Sequence, residues 1–429
     1  MTDPAWINAT LTAARPRAVA ALLRYFRDLD AAEEAVQEAC LRALKNWEEN
    51  GPPRDPAAWL IMVGRNVAID AKRRQRKQES LPDEEVLSDL DDAESGMVDR
   101  LDDSHYRDDI LRLLFICCRP DLPTTQQIAL ALRIVSGLSV REIARAFLVS
   151  EAAMEQRITR AKRKVAETSI PFETPGAPER SERLGAVAAM IYLVFNEGYS
   201  ASGGEAHVRV PLCDEAIRLA RLLLKLFPAE PEIMGLTALL LLQHARTSAR
   251  LDANGAIVLL EDQDRRLWDR KMIAEGLVLL DKAARHRRPG FYQVQAAIAA
   301  LHDRAPSFGE TNWAGIDLLY GTLEQLQPSP VVTLNRAVAV SKVRGAEAAL
   351  DMIAPLAEQL SGYFYYYGVK GAFLMELGRK EEARVAFDQA IARANTAAEA
   401  AHIRMQIDRL VDSRGSRPAK ALPTGKTAS

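Results

Sequence analysis

Between positions 65 and 77 six basic side chains (Arg65, Lys72, Arg73, Arg74, Arg76 and Lys77) are set against a single acid, Asp70. The chain as a whole carries a formal net charge of −2, so this positive density is local. Cations at that spacing can neutralise successive phosphates while polar neighbours meet bases. The plainer alternative is a basic helix end left in solvent, where positive charge complements the helix dipole. A second basic run, Arg157, Arg160, Lys162, Arg163 and Lys164, follows Ser150 on one predicted helix. Its other outward positions are Glu151, Ala152, Ala153, Glu155 and Gln156. A third group is acidic: Glu33, Glu34, Gln37 and Glu38 share one polar helix face, which is either solvated or able to dock a basic partner helix.

Other chemistry is hard to assemble from this chain. The four cysteines (Cys40, Cys117, Cys118, Cys213) form no CxxC pair, and the six histidines make no HxxxH or HExxH pair. Glu261, Asp262 and Asp264 lack histidine or cysteine company, and Tyr363 to Tyr367 read as helix packing with polar tips. The stretch 192–207 has a Gly-Gly but no GxGxxG or Walker A pattern. The expectation is a non-enzymatic protein with no cofactor and no metal. The start, MTDPAWINAT, lacks a basic and an apolar signal segment, and no run of eighteen apolar residues occurs, so a cytoplasmic protein with no membrane contact is expected.

Helices must position these groups. Val19, Leu22, Leu23 and Phe26 make an apolar stripe over 18–27. Asp30 with Glu33 resembles a capping box for a helix to Trp47, whose predicted buried stripe is Val36, Cys40, Ala43, Leu44 and Trp47. Asp55 and Pro56 open the next helix, with Trp59, Met62, Val63 and Val67 on its core face. From Glu79 to Asp109 there are thirteen acids and two basic residues, too little apolar surface to offset chain entropy. That segment is predicted to be a flexible linker, either a solubilising tether or a mimic of a nucleic-acid strand in a positive channel. Ile110–Cys118 and Thr124–Ser136 follow as helices, then Ser139 and Glu142 cap a short helix and Ser150 caps a longer one. With small Ala144 and apolar Met154 and Ile158 at the contact, the pair has helix-turn-helix spacing.

Taken together, DLDAAEEAVQEACLRAL, DPAAWLIMVGRNVAIDAKRRQR and GLSVREIARAFLVSEAAMEQRITRAKRKV resemble the sigma-70 family of transcription initiation factors. Within it they resemble the extracytoplasmic-function (ECF) type, which keeps only regions 2 and 4; the likeness covers residues 15–167 in the family's order. The resemblance implies that Asp30, Glu33, Glu34, Gln37 and Glu38 dock on the β′ clamp helices of core RNA polymerase. It implies that Trp59, Arg65, Asn66 and Asp70 shape a site for an unstacked base of the −10 element, with Lys72, Arg73, Arg74 and Arg76 on the strand backbone. It places Ser150, Glu151, Ala153, Gln156 and Arg157 towards the −35 element, with Arg160, Lys162, Arg163 and Lys164 on phosphates and the β flap as a further polymerase contact. Two departures stand out: Leu148 where the turn often has Gly, and Ala153 and Glu155 in place of the usual early residues of the recognition helix.

Residues 168–180, with three prolines, read as a second linker. Beyond it, Tyr367, Gly371, Leu374, Ala383, Phe387 and Ala390 have the spacing of a tetratricopeptide (TPR) repeat, and Ala348 and Met352 precede Ala383 and Phe387 by 35 residues. Ala216, Ala220, Leu223 and Pro228 match half a repeat, and 255–270 read as an inserted turn. The expected architecture is all-α: a region 2 domain (1–77), an acidic linker (78–107), a region 4 helix-turn-helix domain (108–167), a Pro-rich linker (168–180), a TPR-like solenoid (181–412) and a disordered tail (413–429). The solenoid is either a structural cap or a concave surface for a protein partner. The whole resembles ECF sigma factors with a long C-terminal TPR-like extension, which implies promoter recognition and melting tuned by that extension. A helix-turn-helix regulator whose TPR half senses a ligand or peptide is the alternative.

Overall fold

The computed structural model describes residues 4–51, 53–76, 103–119, 121–147, 149–167, 177–200, 210–252, 258–394 and 397–412. Among them the regular elements are α-helices and three-residue 3-10 turns, with no strand, as the all-α reading expects. Two compact units divide the chain. One runs to Glu197 and takes in Asp214–Leu219; the other holds Gly198–Cys213 and Ala220 onward.

In the first unit α1 (Pro4–Phe26) starts well before the stripe that predicts it, and continues through Pro16. Ile7, Leu11, Ala14, Ala18 and Leu22 are buried at helical spacing, so packing along one face outweighs the local cost of the proline. α2 (Leu29–Asn50) is capped by Asp28, whose carboxylate accepts from the Ala31 N–H at 3.0 Å. Asp30 is therefore not the cap, and Glu33 is released for other work. Ala32, Ala35, Val36, Ala39, Ala43 and Trp47 form the buried face; Leu44, expected there, is exposed. α3 (Pro56–Arg76) opens as expected, with Asp55 accepting from the Ala57 and Ala58 N–H groups at 3.0 Å. It crosses α2 at Gly64, where a Cβ would stand 2.8 Å from Leu22 Cδ1 and 3.1 Å from the Ala35 carbonyl.

α4 (Asp103–Cys117) begins inside the stretch read as acidic linker, and Asp109 is buried rather than solvated. α5 (Thr124–Ile134), α6 (Val140–Ala146) and α7 (Glu151–Glu167) complete the helical module. α4 packs on α1, α5 on both α4 and α7, and α6 on α7. α8 (Ala177–Ser200) begins within the Pro-rich stretch, because Pro178 falls in its first turn, where a missing N–H is harmless. Arg183 of α8 lies over the Phe115 ring at 5.5 Å. The linker at 78–102, the rest of the Pro-rich stretch at 168–176 and the tail at 413–429 lie outside the described residues.

The second unit contains α9 (Val210–Leu226) in part, α10 (Pro231–His244), α11 (Arg270–Arg285), α12 (Phe291–Arg304) and α13 (Trp313–Leu326). α14 (Pro330–Arg344), α15 (Ala346–Ile353), α16 (Phe364–Glu376), α17 (Lys380–Ile391) and α18 (Ala397–Asp412) follow. From α10 to α18 each helix packs on the next, the pattern of stacked helical hairpins. At the α16–α17 contact Gly371 lies under Phe387: a Cβ there would be 2.5 Å from the ring. Ala383, Ala386 and Ala390 close the same contact. Residues 258–269 form an irregular excursion with one 3-10 turn, at the place the pattern broke.

Candidate functional site

The turn between α6 and α7 is built by two local devices. Ser139 Oγ accepts from the Glu142 N–H at 3.2 Å, and Glu142 returns a carboxylate to the Ser139 N–H at 2.8 Å, a complete capping box. These hydrogen bonds from Ser139 hold the Glu142 carboxyl below the usual range. Ser150 Oγ accepts from the Ala153 N–H at 3.2 Å and starts α7. Ile143 and Ala144 of α6 and Met154, Ile158, Ala161 and Val165 of α7 are buried, so α7 has a fixed roll. Leu148 lies outside the described residues.

That roll sorts the expected contact residues. Ser150, Glu151, Ala152, Glu155, Gln156, Arg160 and Arg163 face solvent; Ala153 and Arg157 are half-buried. Arg163 reaches back only to Glu167, at 3.5 Å on the exposed surface. Lys162 and Lys164 turn inward instead. Lys164 bonds the Asp121 carbonyl in the α4–α5 turn, where Arg119 also holds the Asp121 carboxylate at 2.8 Å. Lys162 donates to Asp30 and Glu33 of α2, both at 2.6 Å. Burial works against the Lys162 charge, but the bonds from Asp30 and Glu33 prevail and raise its pKa.

Glu33 is the centre of this arrangement. Its side chain is only 4% exposed, although the amphipathic pattern puts it on the polar face of α2. Arg133 Nε of α5 lies 2.7 Å from Oε1, Arg15 Nη2 of α1 3.8 Å from the same oxygen, and Lys162 2.6 Å from Oε2. Gln37 Nε2 adds a hydrogen bond at 3.0 Å. Burial lowers the Arg15 pKa, opposed by the field of Glu33. One carboxylate thus lies within ion-pairing distance of cations from three other helices, α1, α5 and α7.

The rest of the acidic face is open. Asp30, Glu34 and Gln37 are exposed and Glu38 is half-buried, paired with Arg42 at 3.2 Å. Leu41 and Leu44 stand beside them at 56% and 46% exposure. Positions 34, 37, 38, 41 and 44 follow the three-and-four spacing of one helix face. Placing Leu41 and Leu44 on that face needed only a helical wheel, but the expectation of a buried Leu44 hid it.

On α3, Trp59 meets Trp47 edge to face, with ring centroids 5.3 Å apart and planes at 63°. Trp47 is buried and fixes the Trp59 ring, which stays half-exposed. Seven residues on, Asn66 returns to the same side of the helix and is exposed. Arg65 lies over the Tyr25 ring at 4.9 Å. Tyr25, itself 51% exposed, was not among the expected residues, since nothing local ties α1 to α3. α3 carries Asp70, Lys72, Arg73, Arg74 and Arg76 through its last two turns, but their side chains lie outside the described residues, as does Lys77 altogether.

Comparison with known proteins matches this arrangement part by part. Residues 11–78 match the family model for sigma-70 region 2, and residues 113–165 match that for sigma-70 region 4. Residues 183–284 match a family of unknown function, DUF6596. Over 410 residues the chain is 72% identical to "Uncharacterized protein R00370" of Rhizobium meliloti (strain 1021), covering 96% of this chain and 97% of that protein. The first-unit helices that carry Trp59, Asn66 and the α6–α7 turn are thus regions 2 and 4 in order, and the chain belongs to the sigma-70 family of transcription initiation factors, with a helical C-terminal extension.

Proposed function

We propose that the chain is an ECF-type sigma subunit that brings core RNA polymerase to two-part promoters and is tuned by its TPR-like extension. The observation that carries this reading is the open face of α2. A regulator that only binds duplex DNA has no use for two exposed leucines ringed by Glu34, Gln37 and Glu38. A basic, amphipathic partner helix does, and the β′ clamp helices are that partner in this reading. Each leucine is already about half buried, so covering the rest would contribute roughly half the value of a full burial, about 1 kcal/mol each.

On the DNA side, the half-exposed Trp59 and exposed Asn66 form the wall against which a splayed −10 base would rest, with the basic end of α3 along the strand. In this reading Gln156 and Arg157, early in α7, would meet base edges at the −35 element, and the exposed Arg160 and Arg163 would meet phosphates. In the extension, the Gly371–Phe387 and Ala383–Ala390 packing supports TPR-like hairpins, whose stacked faces suit a protein partner. Working with polymerase, the protein would act in the cytoplasm.

The test is core-polymerase affinity of full-length protein and of the Leu41→Ala/Leu44→Ala double variant. The reading expects nanomolar-range binding weakened about tenfold or more by the double change, with −35 duplex binding unaltered. Duplex binding with no affinity for core polymerase would favour a helix-turn-helix regulator instead.

A further inference from the structure

We propose that the second unit holds a site for a small hydroxycarboxylate, an anion with its own hydroxyl donor, where the 258–269 excursion meets the end of α12. The site shares no residue with the initiation reading, and binding there can be read without polymerase. Its groups come from three places in the chain. Arg246 lies just past α10, Arg265 and Trp268 belong to the excursion, and His302 and Asp303 end α12.

These side chains converge without satisfying one another. The Asp303 side chain is 0% exposed, yet neither carboxylate oxygen has a hydrogen-bond partner among the described residues. Arg246 Nε, also without one, stops 3.8 Å from Asp303 Oδ1. Charge-assisted bonds close to about 2.7–2.9 Å. Arg265 Nη1 donates to the His302 and Ala305 carbonyls at 2.6 and 2.7 Å, while its Nη2 has no acceptor. The Trp268 indole N–H and His302 Nδ1 are buried in the same condition. Buried polar groups in folded chains are nearly always hydrogen-bonded, so orphans gathered at one place mark a position built for an outside group.

The surroundings keep the groups from swinging together. The Asp269 N–H donates to the Ala245 carbonyl at 2.9 Å, which ties the excursion to the end of α10. The Asp269 carboxylate caps α11 through the Lys271 and Met272 N–H groups at 2.9 and 3.0 Å. Arg265 lies over the Trp268 ring at 4.5 Å, and the His302 ring meets Trp313 edge to face at 5.3 Å.

The orphan atoms define the ligand. Arg246 Nε, Arg265 Nη2 and Trp268 Nε1 are donors and suit an oxyanion, whereas the Asp303 oxygens require a donor on the same molecule. Charge agrees. Around Arg265 the cations are Arg246, Arg270 and Arg265 itself and the acids are Asp303 and Glu310, an excess of one positive charge. Water or a zwitterion would leave that excess in place. A hydroxycarboxylate cancels it, with its carboxylate on the guanidiniums and indole and its hydroxyl donating to Asp303. Burial holds the Asp303 carboxyl up at about 6 against the fields of Arg246, Arg265 and Arg270, as expected where those cations face it without bonding.

Calorimetric titration of the full-length protein at pH 7.5 with glycolate, lactate and acetate tests the site. Glycolate or lactate should bind once per chain with Kd below about 1 mM, and acetate, which lacks the hydroxyl, at least about tenfold more weakly. Arg246→Lys keeps the charge but loses the Nε donor, and should weaken all three acids about tenfold or more. Asp303→Asn should bring acetate and the better hydroxy acid within about threefold of each other, a loss of selectivity that mere destabilisation does not produce. No saturable binding of either hydroxy acid to the parent up to about 20 mM overturns the proposal. Displacement by an equal concentration of chloride or inorganic phosphate, or binding unchanged in both variants, would reveal only a cationic patch and overturn it equally.

Discussion

The Lys162 ammonium donates to Glu33 at 2.6 Å, and the Glu33 side chain that receives it is almost wholly buried. A buried carboxylate with several cationic partners is held less by net attraction than by the penalty of leaving any one of them unpaired. Glu33 and its exposed neighbour Glu34 should therefore behave oppositely. Glu33→Ala should destabilise the first unit by about 3–5 kcal/mol, since Arg15 would keep a buried charge, and Arg133 a partly buried one, without this counterion. Glu34→Ala should change stability by no more than about 0.5 kcal/mol. Urea unfolding of both variants decides this, and equal effects would contradict the buried role of Glu33.

The α16–α17 hairpin depends on the absence of a side chain at 371. A methyl group there would press on Phe387 at 2.5 Å, and the ring is too well packed among Ala383, Ala386 and Ala390 to retreat freely. Gly371→Ala should cost about 1–3 kcal/mol by overpacking. Adding Phe387→Leu should recover part of that loss, whereas additive losses in the double variant would mean that the two positions do not touch.

In the second unit, adjacent residues at the end of α12 have opposite protonation habits. Burial pushes the Asp303 carboxyl up to about 6, against the fields of Arg246, Arg265 and Arg270. Burial, then Arg246 and Arg265, push His302 down to about 4. Between about pH 4 and 6 folded Asp303 keeps a proton that the unfolded chain has released, so its contribution falls as pH rises. Folded His302 lacks a proton that the unfolded chain carries there, so its contribution rises with pH. Each slope is about 1.4 kcal/mol per pH unit, and the two cancel. Asp303→Asn should therefore lose about 3 kcal/mol relative to the parent on acidification from pH 6 to 4, and His302→Gln should lose a similar amount in the reverse direction. Urea midpoints of the full chain across that range check both; curves parallel to the parent's would refute the pairing.

Cys117 and Cys118 should be unreactive in the folded protein. Burial pushes the Cys118 thiol up to about 12, and burial, then Cys118 and Glu33, raise Cys117 well above its ordinary value. At pH 8 the Cys118 thiolate fraction is then on the order of one in ten thousand. Brief iodoacetamide treatment should leave both unlabelled in the native chain and label both in urea. Fast native labelling would show that the α1–α4 core opens readily.

What the sequence made legible was whatever is decided within a few residues or within one helical hairpin. The Ser139–Glu142 box, the Asp55 cap and the Gly371–Phe387 spacing each follow from local rules and stand in the structure as expected. The misreadings share a cause in distant partners. Glu33 belongs to a polar helix face by pattern, and only Arg133 and Lys162, a hundred or more positions away, bury it. Leu44 fits an apolar stripe by spacing, but among the described residues no helix covers it. Pro178 counts towards a linker by composition although it lies in the first turn of a helix, and the stripe over 18–27 misses the earlier part of α1, which packs along one face through Pro16. Asp109, counted among linker acids, is drawn into the core by Arg24 of α1.

The most direct test of the account is transcription from sheared genomic DNA of the source organism by core polymerase, with and without the full-length protein, mapping transcript 5′ ends. A sigma subunit predicts discrete new start sites preceded by two shared sequence blocks, near −10 and −35. It also predicts that Asn66→Ala weakens those starts while −35 duplex binding persists. Start sites indistinguishable from those of core polymerase alone, with the protein properly folded, would contradict it.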